Sequence, residues 1–274
     1  MGENSAIGWT THTFNIAWGC TEIGPGCDNC YAREFANRYG YKWGTGAPRR
    51  YFGDKHWSEP LKWDRRAKET GETIRVFCSS MADILDNEVE DSHRERLWEL
   101  IEATPNLTWQ LLTKRIGNAK KMMPNAWVRN GLPKWVHFGI TVVNQEEAAR
   151  DIPKLLDYQG LLWLSIEPQL ARINLAKWLG DGGDMPGYNP SISWVVDGGE
   201  SGAVSKVRPF DIGWARSILK ECRTYNVPCF IKQMGARTFM DPADGPPLLR
   251  TFSHEDAANP EKWPEDLRVQ CFPE

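Results

Sequence analysis

Cys20, Cys27 and Cys30 stand in the run C-T-E-I-G-P-G-C-D-N-C, and thiols spaced C-x6-C-x2-C are suited to two kinds of chemistry. Three thiolates from one short loop suit an iron–sulfur cluster whose fourth iron stays open to a ligand. They also suit a zinc ion that borrows a distant fourth donor, for which His12 and Cys78 are candidates. Gly24, Pro25 and Gly26 let the loop fold back so that the sulfurs converge. An open iron would make the loop a reaction centre. A disulfide framework is disfavoured by seven cysteines, an odd count, and by an N-terminus, M-G-E-N-S-A-I-G-W, without the basic and apolar regions of a secretion signal. Cys222, Cys229 and Cys271 are spread along the chain and read as ordinary buried or surface thiols.

Other polar residues come in short blocks: Cys78-Ser79-Ser80-Met81-Ala82-Asp83, Leu112-Thr113-Lys114-Arg115, Thr141 with Asn144, Ser165-Ile166-Glu167-Pro168, Asp197 to Gly202, and Lys232-Gln233. Glu200 could accept hydrogen bonds from a ligand ammonium, and Gly198 and Gly199 would let backbone approach a ligand closely. Lys114 or Arg115 could pair a carboxylate or phosphate, with Arg offering the bidentate fork. Glu167, extended before a proline, would point into the site and is, with Lys114, a candidate catalytic group; the bland reading makes it a partner of Arg172 or Lys232. Asp83 could bond ribose hydroxyls, and Ser79 and Ser80 a backbone or ligand oxygen, although Ser79 or Asp83 taken singly reads as a helix cap. Charges of both signs suit a zwitterionic ligand. No Ser-His-Asp order, Walker loop or H-E-x-x-H motif supports a hydrolase or kinase template.

Each block follows a short apolar run. The runs are Phe14–Trp18, Ile74–Cys78, Thr108–Leu112, Trp135–Ile140, Leu161–Ser165, Ile192–Val196 and Cys229–Lys232, the pattern of strands buried on both faces of a parallel sheet. Helical spacing is clearest over Ser92–Ala103, where Leu97, Leu100 and Ile101 form a stripe, and recurs over Asn29–Tyr39, Gln145–Leu156 and Asp211–Tyr225. Seven strands alternating with helices predict an α/β fold, a partial or complete (β/α) TIM-like barrel. In such a barrel the C-terminal strand ends form the site, which is where the polar blocks fall. The dinucleotide fingerprint G-x-G-x-x-G is absent. Residues 40–66 and 180–191 read as loop insertions. The barrel is expected over residues 1–236, with 237–274 a peripheral extension packed on it.

With 274 residues, 25% charged and 41% hydrophobic, the chain can bury a sizeable core, and no apolar run approaches the roughly 20 residues that span a bilayer. The net charge of −3 provides no global field for a polyanion, leaving local pairs such as Arg49-Arg50 and Lys114-Arg115 for phosphates.

Six ordered blocks between residue 7 and about 235 carry a family resemblance. They run from Gly8-Trp9-Thr10, Phe14-Asn15 and Gly19-Cys20-x6-Cys27-x2-Cys30-Tyr31-Ala32 through Ser80-Met81-x-Asp83, Leu112-Thr113-Lys114-Arg115 and Ser165-Ile166-Glu167-Pro168. Gly198-Gly199-Glu200-Ser201-Gly202 and Lys232-Gln233-x-Gly235 complete them. The string resembles the phage and bacterial three-cysteine-motif family, considered radical-SAM-like. That resemblance implies a partial β/α barrel of the radical-SAM type with a [4Fe–4S] cluster on Cys20, Cys27 and Cys30. S-adenosyl-L-methionine would chelate the open iron, and its reductive cleavage would give a 5′-deoxyadenosyl radical. The cofactor side would comprise Ser79, Ser80, Asp83, Thr141, Glu167, Gly198, Gly199 and Glu200; the substrate side would comprise Arg49, Arg50, Arg115, Lys232 and Gln233. Two departures stand out. The first gap has six residues where most radical-SAM enzymes have three, and Asn29 replaces the aromatic before the third cysteine. The SAM amino-binding segment typically follows strand two, which favours Ser79–Asp83 for that role and sets Gly198–Glu200 nearer the substrate.

The resemblance further implies a modified nucleotide or DNA base as substrate, with isomerisation of an aminoacyl-modified thymidine in phage DNA hypermodification as the specific case. A flipped base would sit between aromatic side chains. An electron donor and a neighbour-encoded protein are the implied partners, with no membrane, in the bacterial cytosol or the host cytoplasm of a phage. The rival class is a zinc- or cluster-stabilised barrel that binds nucleic acid or a partner without catalysis.

Overall fold

The computed structural model describes residues 2–180, 191–241 and 247–273, so most of the expected 180–191 insertion lies outside the described residues. The fold is α/β, a partial (β/α) TIM-like barrel. Its seven parallel strands are His12–Phe14, Ile74–Cys78, Leu107–Thr113, Val136–Thr141, Leu161–Ile166, Ile192–Gly198 and Cys229–Gln233, neighbours in the sheet following chain order. The chain divides into two compact units, one of residues 1–23, 32–140 and 158–161, the other of 24–31, 141–157 and 162–274.

In the first unit the register aligns Phe14, Cys78, Leu111 and Phe138 on one face, and Thr13, Phe77, Gln110 and His137 on the other. The first set is wholly apolar and buried; Phe14 meets the Trp57 and Trp109 rings edge-on at 5.3 and 5.8 Å. Burial, with the nearby Arg75 charge adding, pushes the His137 imidazole down to about 4. The first strand ends at Phe14 where the apolar run predicted extension to Trp18. The cause is Asn15, whose carboxamide oxygen accepts from Met81 N at 2.6 Å and turns the chain out of the sheet. Ala17–Trp18 pairs instead with Arg50–Tyr51.

The expected loop over 40–66 is a loop only in part. Glu59–Thr70 is a helix with a proline in its first turn, Gly71 closing it in the left-handed conformation, and Pro60, Trp63 and Ala67 on its buried face. That spacing is helical, and the surrounding Arg, Lys and Trp residues masked it.

In the second unit Leu164, Val195 and Cys229 align on one face, and Ser165, Val196 and Phe230 on the other. Asn144 caps the helix Gln145–Leu155 by accepting from Glu147 N. The helix Ile212–Thr224 buries Ile212, Ala215, Ile218, Leu219 and Cys222, a stripe at helical spacing. The C-terminal segment packs on this unit: Ile231 N donates to Val269 O at 2.8 Å, and Phe272 stacks on Trp194 at 5.9 Å.

Candidate functional site

Gly19 leads into the cysteine loop at φ +120, and a Cβ there would lie 2.9 Å from Arg49 Cδ, so the position needs glycine. Its N–H donates to Met81 O at 3.1 Å, fastening the approach to Cys20 onto the segment after the second strand. Ser80 belongs to the same junction and accepts from Asn15 Nδ2 at 3.0 Å. Ser79 lies against the Cys78 thiol at 3.2 Å.

Around Cys20 the first unit builds a buried ionic network. Arg115 Nη1 is 3.6 Å from Cys20 Sγ and 3.1 Å from Asp83 Oδ2, while Nη2 donates to Thr21 O and lies 3.8 Å from Asp86 Oδ1. Asp83 also accepts from Thr113 Oγ1 at 2.7 Å, Lys114 N at 2.9 Å and Leu85 N at 2.9 Å. Arg49 donates to Asp86, to the carbonyls of Gly44 and Ala47, and to Thr21 Oγ1. Burial pushes the Cys20 thiol up to about 12, with Asp83 adding to the rise and Arg115 working against it. Of the sequence-expected residues, this arrangement spends Asp83, Arg115 and Arg49 on the protein itself. Lys114 contributes its backbone N–H, and among the described residues no carboxylate pairs with its ammonium. Arg50 is exposed, with its guanidinium over the Trp18 and Tyr41 rings at 5.2 and 5.0 Å.

The second unit holds the other two cysteines. Pro25–Cys27 forms one turn of 3-10 helix, and Cys30 N donates to Cys27 O at 3.3 Å, which keeps both thiols on one tight turn. Glu200 braces that turn: it accepts from Asn29 Nδ2 at 2.9 Å and from Arg208 N at 2.8 Å, and it pairs with the Arg208 guanidinium. Arg208 in turn donates to Asp28 Oδ2 and Pro25 O, each at 2.9 Å. Burial opposes the charge on Glu200, but the Arg208 and Asn29 hydrogen bonds win and hold its carboxyl below its ordinary value. Arg208 and Asn29 were not foreseen as site residues. Asn29 was visible only as a departure from an expected aromatic, and an isolated arginine at 208 carries no sequence signal.

At the strand ends of the same unit, Glu167 pairs with Lys232 and accepts from Gln233 Nε2 at 3.2 Å; Gln233 Nε2 also donates to Gly199 O at 2.7 Å. The side of Gly199 that a Cβ would occupy is filled by the protein, with Met234 O at 2.5 Å and Phe210 Cβ at 2.8 Å from that position. The packing of the protein itself therefore already requires glycine at this position. Thr141 Oγ1 and both polar atoms of the Gln169 side chain are buried without a hydrogen-bond partner among the described residues. The Asp197 carboxylate is fully buried and makes no well-formed side-chain hydrogen bond there. Burial pushes its carboxyl up to about 8; the Gly198 N–H pulls the other way and the Glu167 charge adds to the rise. Buried polar atoms left without partners at strand ends are what a ligand-binding site supplies.

Three cysteine thiols are a donor set that suits either an iron–sulfur cluster or zinc. Cys20, Cys27 and Cys30 are all free thiols, and an arginine N–H is aimed at one of the sulfurs. Among the described residues no three His, Cys, Asp or Glu side chains already stand at metal-binding separations. Of the two candidate zinc donors, His12 accepts from Asn4 N through Nδ1 at 3.0 Å and keeps a buried Nε2 without a partner among the described residues, and the Cys78 thiol is buried against Ser79. No helix among the described residues is long and apolar enough to cross a membrane.

Among solved structures, the chain resembles spore photoproduct lyase complexed with dinucleoside spore photoproduct, at 13% identity and TM-score 0.51, covering 98% of this chain and 75% of that one. A cysteine-to-serine mutant of that lyase matches at 13% identity and TM-score 0.50 with the same coverage. The likeness is one of fold. None of the curated proteins matches in sequence. Over residues 4–271, nearly its whole length, the sequence fits one protein family, and the chain accordingly belongs to DUF5131, described as proteins of unknown function.

Proposed function

We propose that this protein is a radical S-adenosylmethionine enzyme that carries a [4Fe–4S] cluster on Cys20, Cys27 and Cys30 and acts on a modified nucleotide or DNA base, with an aminoacyl-modified thymidine as the specific candidate. One observation carries the reading: buried or half-buried charge is committed to the cysteine loop at both of its ends, by Arg115 at Cys20 and by Glu200 and Arg208 at the Cys27–Cys30 turn. A loop with only a packing role would not need two such networks, since burying charge is costly without a functional return. When bound, the cluster and S-adenosylmethionine would supply a 5′-deoxyadenosyl radical for hydrogen abstraction.

The chain's own residues would bind and orient. Thr141, Gln169 and Glu167 offer polar atoms at the strand ends of the second unit to a zwitterionic cofactor, and Lys232 and Gln233 to the substrate. Lys114, free of carboxylate partners among the described residues, can pair an anionic group of the substrate. Residues 35–53 contain four basic side chains, six aromatic ones and no acid. Within that segment Tyr39 and Tyr41 are 60% and 41% exposed, and Arg50 lies over Tyr41. Exposed rings flanked by cations suit an unstacked base and its phosphate. The fold likeness to a lyase solved with a dinucleoside photoproduct is consistent with such a substrate.

The test is anaerobic purification followed by iron and sulfide assay and EPR spectroscopy of the reduced protein with and without S-adenosylmethionine. About four irons per chain and a spectrum that shifts with the cofactor are expected, with Cys27→Ala losing both. Stoichiometric zinc with no response to S-adenosylmethionine would replace this reading with a metal-stabilised binding barrel.

A further inference from the structure

Among the described residues Arg115 places a charged side chain against a cysteine of the loop, and its position is fixed from several sides. Its backbone N–H donates to Thr113 Oγ1 at 2.8 Å, its Nη1 to Asp83 Oδ2 at 3.1 Å and its Nη2 to Thr21 O, which leaves Nη1 3.6 Å from Cys20 Sγ. The side chain is 7% exposed, so water does not screen the contact. Arg49, Arg115, Asp83 and Asp86 form a buried group of two cations and two anions. Removing Arg115 alone leaves that group with an excess negative charge beside Cys20.

We propose that Arg115 is a positioning residue for the cluster, not a substrate ligand: it orients Cys20 through an N–H···S hydrogen bond and raises the cluster's reduction potential. This rests on the reading of Cys20 as a cluster ligand. Hydrogen bonds to ligand sulfurs and nearby positive charge favour the reduced, more negative state, so their loss shifts the potential downward. The anchoring through Asp83 also assigns a purpose to the Thr113-Lys114-Arg115 block at the end of the third strand: it holds the guanidinium still while Asp83 balances its charge.

The experiment is an EPR-monitored redox titration of the full, anaerobically reconstituted chain without S-adenosylmethionine, beside iron and sulfide counts. Arg115→Met is expected to keep a cluster whose midpoint is more negative than that of the wild type. Arg115→Met with Asp83→Asn restores neutrality, so its midpoint should recover part of the shift and still lie below the wild type, the remainder being the lost hydrogen bond. Arg115→Lys keeps the charge without the fork and should fall between the wild type and Arg115→Met; it carries the test if the methionine variant does not retain iron. A wild-type midpoint in an iron-replete Arg115→Met or Arg115→Lys protein overturns the proposal. A wild-type chain that takes up no iron overturns the cluster reading itself, a result separable from the first because it appears before any variant is made.

Discussion

Arg49 and Asp86 form an ion pair with Nη2 and Oδ2 2.6 Å apart and side chains only 1% and 2% exposed. The arginine that the sequence suggests as a phosphate ligand is therefore internal, and it ties residues 44–49 to the segment after the second strand. Breaking a buried pair on one side leaves the other charge without compensation. Arg49→Met is expected to cost about 3–5 kcal/mol in denaturant unfolding, whereas Arg49→Met with Asp86→Leu costs far less, because an apolar pair can replace a buried ionic one. Equal losses in the two proteins would show that packing, not charge, governs the site.

The Glu200–Arg208 pair predicts a different outcome, because Arg208 is 30% exposed and its contribution to global stability is discounted by solvent. Arg208→Ala should cost about 1–3 kcal/mol, less than breaking the Arg49–Asp86 pair, because the buried Glu200 carboxylate keeps its Asn29 and backbone donors. On the proposed cluster reading it should nonetheless weaken iron retention about tenfold, since Asp28 and Pro25 lose the donor that holds the cysteine turn. Iron release to a chelator, compared with that of the wild type, measures it.

Gly199 tests whether the glycine pair serves packing or ligand approach. A Cβ at 199 would stand 2.5 Å from Met234 O and 2.9 Å from Gly235 Cα, backbone that cannot easily move aside. Gly199→Ala is expected to destabilise the fold by about 1–3 kcal/mol, as overpacking does. A stable variant that had lost only cofactor binding would restore the ligand-approach role to Gly199.

Asp197 sets a pH dependence. Its folded carboxyl is pushed up to about 8 by burial, with the Gly198 N–H opposing and Glu167 adding, while the unfolded carboxyl keeps its ordinary value of 3.8. The folded chain therefore holds a proton that the unfolded chain releases, so this group's stabilisation is full below about pH 4 and is lost as pH rises toward 8. Asp197→Asn cannot ionise and should flatten that slope, raising the melting temperature at pH 8 at roughly 2–4 °C per kcal/mol for a chain of this size. Melting curves from pH 5 to pH 8 decide it, and an unchanged slope would mean that the carboxyl is already ionised or solvated in the folded protein.

Local pattern was enough for the strands. Continuous apolar runs at Ile74–Cys78, Ile192–Val196 and Cys229–Lys232 have few other uses than a sheet covered on both faces, and each is found there, extended by one or two residues where it is. The helix Ile212–Thr224 follows in the same way from its apolar stripe, and the order of polar blocks after strands from the chain itself. The three-thiol spacing likewise belongs to the sequence alone. Partnership does not. Glu167 was legible as a partner of Lys232, but nothing in sequence distance says that Glu200 would close on Asn29, 171 positions away, or that Arg208 would reach Pro25, 183 positions away. Arg49 and Arg50 are adjacent and chemically identical, and only the tertiary structure buries the first against Asp86 and leaves the second exposed over Tyr41. Residue type and spacing determine which groups can bear charge or bind metal. Which of them remain available is decided by the tertiary structure, because a buried charge must take whatever opposite charge or donor the fold brings within about 3 Å.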